Sequence, residues 1–205
     1  MGGRLRHSRL LRTVALALAS GAMLHPWMSV GCSPTLQAPL RGPDGAGEDE
    51  GDLRLDHGYS LLMGVLGDET RVSEILGMKS ASAGTEELLR AISAAATTAR
   101  EDLEALLPET PPISVGSSGL PLLEIDARNR IANQETVGLL LSSGATFELR
   151  ILLTQEKATG YVAALSEGLA SADPNLARRD RLSGLSRRFL QLNAELRGRL
   201  AVKPD

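Results

Sequence analysis

The chain has 205 residues, with 22 basic and 25 acidic side chains, a net charge of −3, only 2% aromatic residues and one cysteine. This mildly acidic balance excludes a general binder of nucleic acid or anionic lipid, because such binding draws on clustered Lys and Arg. A lone cysteine excludes an intramolecular disulfide. The aromatics beyond residue 31 are Tyr59, Phe147, Tyr161 and Phe189, so the core must be built from Leu, Ile, Val and Ala. That suits packed helices better than a β-sandwich or barrel.

Residues 1–31 have the three parts of an export signal. Arg4, Arg6, Arg9 and Arg12 form a basic start without an acidic residue, Leu10 to Leu24 is apolar, and small residues precede Cys32. The apolar run is shorter than the ~20 residues of a membrane-spanning helix, and His25-Pro26 ends it. The run Ser29-Val30-Gly31-Cys32 resembles the lipobox of bacterial lipoproteins. In that family the thiol takes a diacylglycerol, the signal is cut before the cysteine and the new amine is acylated, palmitate being a usual chain. Ser29 departs from the family's usual Leu. The resemblance implies a membrane anchor on Cys32. Ser33 in place of Asp implies the outer membrane, periplasmic face, rather than the inner membrane. A plain secretory signal cut after Ala17-Leu18-Ala19 is the alternative, and it would leave a free thiol in an oxidising compartment.

Removing residues 1–31 takes four arginines and no acid, leaving 18 basic against 25 acidic side chains. Residues 32–58 read as a lipidated, disordered acidic tether. They hold Pro34, Pro39 and Pro43, several glycines and the run Glu48-Asp49-Glu50. Such a stretch buries too little apolar surface to fold and would reach on the order of 25–30 Å as a flexible coil.

Residues 59–205 read as a helical bundle domain. Leu62, Val65, Leu66, Val72, Ile75 and Leu76 mark a first amphipathic helix at about 57–79. Thr85 is the expected N-cap of a second, with Leu89, Ile92, Ala96, Ala99, Leu103 and Leu106 on one face and Pro108 closing it. Pro121 opens a third segment. Ser142-Ser143-Gly144 is its expected break, with a boundary near Asn133 as the alternative. Then comes a stripe of Phe147, Ile151, Thr154, Ala158, Tyr161 and Leu165. Asp173-Pro174 reads as a cap and first-turn proline ahead of a last helix carrying Leu182, Leu185, Phe189, Leu192, Leu196 and Leu200. The expected architecture is all-α: an antiparallel four-helix bundle with an extra short helix in the middle connection.

The chemistry usual in bundles lacks its residues. A di-iron site needs two Glu-x-x-His motifs, and the histidines here are His7, His25 and His57. Covalent haem attachment, zinc ligation, a Ser-His-Asp set and a phosphate-cradling glycine loop lack their spacings as well. The helical body distantly resembles exported, ferritin-like bacterial domains of unknown function, through Gly67-Asp68-Glu69 with Lys79-Ser80, and Phe147, Gln155, Ala158 and Tyr161. The resemblance implies a fold and no activity, since the metal ligands are absent.

Three polar features stand out. Glu69 lies on the first apolar stripe and is either a buried carboxylate facing Glu148 or Gln155, or a solvated residue after a break at Gly67-Asp68; the solvated reading is the expectation. Gln155 and Tyr161 either line a small pocket or are a satisfied core pair or half-exposed contacts, the latter being expected. Arg178, Arg179, Arg181, Arg187, Arg188, Arg197 and Arg199 form a basic face on the last helix, expected to be solvated and paired within the helix to Asp180. The expected role is a non-enzymatic helical binding module without a cofactor, anchored to the membrane through Cys32 and engaging an envelope protein. The alternative is a small-ligand or metal-binding bundle using Glu69, Glu148, Gln155 and Tyr161.

Overall fold

The computed structural model describes residues 47–201, with side chains from Leu53 onward. Every regular element among them is helical: α1 Gly47–Glu69, a 3-10 helix Val72–Gly77, α2 Ala83–Leu106, α3 Leu122–Leu141, α4 Gly144–Ala172 and α5 Leu176–Ala201.

Several boundaries differ from expectation. α1 begins at Gly47, so residues 47–58 belong to a helix and not to a tether. Leu55 is buried in the core, and Asp56 and Ser60 bind the loop after α2, accepting from the Ser114 amide at 2.8 Å and the Gly116 amide at 3.0 Å. An acidic stretch at the start of a helix suits the positive end of its dipole, so acidic composition is compatible with helix there. α1 also ends early. Thr70 donates its hydroxyl to the Gly67 carbonyl at 2.8 Å, and the chain turns so that Val72 and Ile75 are buried from a 3-10 helix. The cap of α2 is Ser82 rather than Thr85; its hydroxyl accepts from the Thr85 amide at 3.4 Å.

The break at Ser142-Ser143-Gly144 is where the sequence places it. Gly144 takes a φ of 54°, a left-handed conformation that side chains with a Cβ resist. Lys79 donates to the Leu140 and Ser142 carbonyls at 2.7 and 3.0 Å, satisfying backbone acceptors at the end of α3. α5 begins two residues later than expected. Asp173 terminates α4, and Asn175 caps α5 by accepting from the Arg178 amide at 3.0 Å.

α1 packs on α2 and α4, and α5 packs on the same two, its contact with α4 being the largest. α3 makes a small contact with α4 and leaves Leu122, Leu123, Val137 and Leu141 exposed. The core forms two clusters. One gathers Leu55, Tyr59, Leu62, Leu66, Leu103, Val162 and Phe189. The other gathers Val72, Ile75, Leu89, Ile92, Phe147, Ile151 and Leu196. On α4 the buried line runs through Phe147, Ile151, Gln155, Ala158, Val162 and Leu169, while Thr154, Tyr161 and Leu165 are half-buried. The interior stripe is thus rotated from the expected one.

Candidate functional site

Glu69 is fully buried, against the solvated expectation. The reason is local: α1 runs unbroken through Gly67-Asp68, so Glu69 keeps the helical register of Leu62 and Leu66. Gln155 on α4 is also fully buried. The two approach closely enough for the amide to favour the ionised carboxyl. Yet neither Glu69 carboxyl oxygen, nor the Gln155 Nε2 or Oε1, has a hydrogen-bond partner among the described residues. Burial pushes Glu69 up to about 8, with the Asp68 charge adding to the shift and Gln155 opposing it. Burial also raises half-buried Asp68 to about 7, against the pull of Arg71.

The pair lies between the two apolar clusters, in a layer to which Ser93, Thr159 and Asn193 also belong. Those neighbours are satisfied. Thr159 donates to the Gln155 carbonyl at 2.7 Å and accepts from Asn193 Nδ2 at 3.0 Å. Ser93 donates to the Thr70 carbonyl.

Glu148 does not join them. It is half-buried at the start of α2, where Ser82 and Thr85 donate their hydroxyls to it. Burial raises its carboxyl, but those hydrogen bonds and the Arg199 charge outweigh it and hold the pKa below the ordinary value. Tyr161 is half-buried against the first cluster and close to Arg128 of α3. The four candidates therefore divide among an interior pair, a helix cap and a flank. No group of three His, Cys, Asp or Glu side chains among the described residues is placed to hold a metal ion. Cys32 lies outside the described residues.

A buried cluster that the sequence reading missed centres on Asp173. Its carboxylate accepts from Tyr59 Oη at 2.6 Å, Arg178 Nε at 2.7 Å, Arg178 Nη2 at 3.1 Å and the Asn175 amide at 2.7 Å. Arg178 Nη1 donates to the Glu109 carbonyl at 2.8 Å. Burial works against the Asp173 charge, but Arg178 and Tyr59 prevail and lower its pKa. Burial raises the Tyr59 hydroxyl, and the bond to Asp173 raises it further. Arg178 is fully buried, not part of a solvated face. The sequence signal for this cluster was a five-residue spacing between Asp173 and Arg178, which a capping role for Asp173 obscured. With these lone pairs and donors occupied, the cluster fastens α1, α4, α5 and the loop after α2.

The remaining arginines also depart from the expected pairing. Arg181 pairs with Asp102 of α2 at 3.1 Å and Arg197 with Glu156 of α4 at 2.7 Å, so the partners lie across helices rather than at Asp180. Arg179, Arg187 and Arg188 are exposed, without an acidic partner within 4.0 Å among the described residues. α2 and α5 run antiparallel, Asp102 meeting Arg181 at one end and Gly84 lying against Arg199 at the other. Between them opens a groove of about 800 Å³. Ala91, Ala94, Ala95, Thr98 and Ala99 line it from α2, and Ala177, Gly184, Arg181 and Arg188 from α5. A smaller groove of about 470 Å³ lies on the α4 side of α5, beside Arg179 and Arg187.

No family model, curated protein or solved structure matches the chain. Among the described residues, no helix is long and apolar enough to cross a membrane.

Proposed function

We propose that the chain is a lipid-anchored protein of the cell envelope, held at the periplasmic face of the outer membrane through Cys32. In this reading α1, α2, α4 and α5 form an antiparallel four-helix bundle, with α3 in the connection. The bundle is a non-enzymatic docking module for a helical segment of an envelope protein. The observation that carries the docking role is the groove between α2 and α5. Small side chains on both walls let a helix approach closely, and a groove running from Ala91 to Leu106 is about 22 Å long, roughly four helical turns. An amphipathic helix lays its apolar face into such a groove. The rim carries exposed Arg188 and Asp180, which suit charged side chains of both signs on the visitor. The lining offers packing surface and ion pairs rather than a nucleophile beside a base. The small-ligand alternative loses support because Glu148 binds the Ser82 and Thr85 hydroxyls at the start of α2 instead of facing Glu69 and Gln155.

The test compares pulldowns from solubilised membranes using the unaltered protein and Ala94→Trp. Ala94 is exposed in the groove, so the indole fills the groove without entering the core. The expected result is a discrete partner lost in Ala94→Trp and kept in Val137→Trp on α3. Equal recovery from both variants contradicts the reading. For the anchor, Cys32→Ala moves the protein out of the membrane fraction or blocks its maturation. An unchanged membrane fraction contradicts the anchor.

A further inference from the structure

The layer between the two apolar clusters receives one or more buried polar side chains from each of four helices: Glu69 of α1, Ser93 of α2, Gln155 and Thr159 of α4, and Asn193 of α5. Ser93, Thr159 and Asn193 have hydrogen-bond partners there; the Glu69 carboxyl and the Gln155 carboxamide have none among the described residues. Glu69 is also the last residue of α1, and the next elements are a two-residue turn and the 3-10 helix. We propose that Glu69 and Gln155 form a proton-operated latch: while Glu69 is neutral, the end of α1 and the 3-10 helix stay seated on α2 and α4, and loss of the proton releases them.

An ionised carboxylate in a dry interior is costly unless a cation or several donors meet it. The charged groups around Glu69 do not provide this. On α1, Asp68 acts against its ionisation. Beyond the turn, Arg71 is exposed and paired with Glu74 at 3.5 Å. On α2, Arg100 lies against Gly67 but pairs with Glu104 at 2.8 Å near the surface. On α4, Glu156 is taken by Arg197 of α5. The remaining route to solvation is outward movement of Glu69 itself, and its place at a helix end makes that a local motion. What resists the motion is compact: Val72 and Ile75 in the second cluster, and the Ser93 hydroxyl on the Thr70 carbonyl. Burial supports the same sign, since a carboxyl raised to about 8 holds its proton at neutral pH and loses it just above. This inference does not depend on the groove or on the anchor.

The test is amide hydrogen exchange over residues 66–77 of the full chain at about pH 6.5 and about pH 9, corrected for intrinsic exchange rates. In the unaltered protein, protection falls about tenfold or more at the higher pH. In Glu69→Gln, which keeps a neutral side chain of the same shape, it does not change. Equal protection at both pH values in the unaltered protein overturns the latch, as does an equal loss in Glu69→Gln. A second measurement needs no variant: the carboxyl carbon resonance of Glu69 titrates with a midpoint near 8. A midpoint at or below about 6 overturns the latch.

Discussion

Two buried carboxyls show how the same residue chemistry takes opposite signs. Asp173 is ionised, because Arg178, Tyr59 and the Asn175 amide surround it. Removing one partner of such a pair leaves a buried charge exposed to nothing. Arg178→Met is therefore expected to cost about 3–5 kcal/mol in urea unfolding. Tyr59→Phe, which removes one hydrogen bond to a charged group, is expected to cost about 2 kcal/mol. Glu69 has a raised pKa, because burial and the Asp68 charge outweigh the Gln155 amide and no cation among the described residues pairs with it. The two predict opposite pH limbs. A lowered pKa contributes stability above the unfolded value and loses it as pH falls through the folded one, so Asp173 makes the fold acid-sensitive. A raised pKa contributes stability below the unfolded value and loses it as pH rises through the folded one. Glu69 thus lowers stability from its ordinary 4.5 up to about 8. At ~1.4 kcal/mol per unit, the Glu69 share is on the order of 5 kcal/mol. Thermal unfolding against pH should show this decline between about pH 4.5 and 8 in the unaltered chain and a flatter course over the same range in Glu69→Gln. In the sequence a buried Glu69 was the less expected of two readings, and the inward role of Asp173 was not legible. Gly67-Asp68 looks like a helix break, and Asp173-Pro174 looks like a cap; only the packing shows that Glu69 stays in register and that Asp173 turns inward.

At the scale of elements, α2 and α5 were legible because their apolar positions repeat at helical spacing. The α3–α4 break was legible because it needs a residue that tolerates positive φ, and Gly144 supplies it. Gly144→Ala is expected to lower stability by about 1 kcal/mol through backbone strain alone, measurable as a reduced midpoint in thermal melting. The start of α1 was hidden because acidic residues at a helix N-terminus have the composition of a solvated linker. What distinguishes them is downstream: Gly58 lies so close to Leu169 of α4 that a Cβ there would meet its Cδ2 at 2.6 Å. A residue taken for tether is in fact a contact between two helices.

Across the whole molecule, two apolar clusters meet at a polar layer, a buried ion pair fastens one end, and α2 and α5 leave an alanine-lined groove open to solvent. The all-helical class followed from a chain poor in aromatics, whose core is mostly Leu, Ile, Val and Ala. The groove did not, because alanines at helical spacing serve equally well as tight packing or as an open wall; which of these they form depends on the separation of the two helices. The groove and the anchor together make the central claim, a tethered module that receives a helix from an envelope partner. The most direct measurement is site-specific photo-crosslinking in intact cells, with the probe at Thr98 in the groove and, separately, at Val137 on the exposed face of α3. The account predicts a discrete crosslinked protein from Thr98 that is absent from Val137 and lost when Ala94→Trp fills the groove. The same adducts from both positions, or none from Thr98, would contradict it.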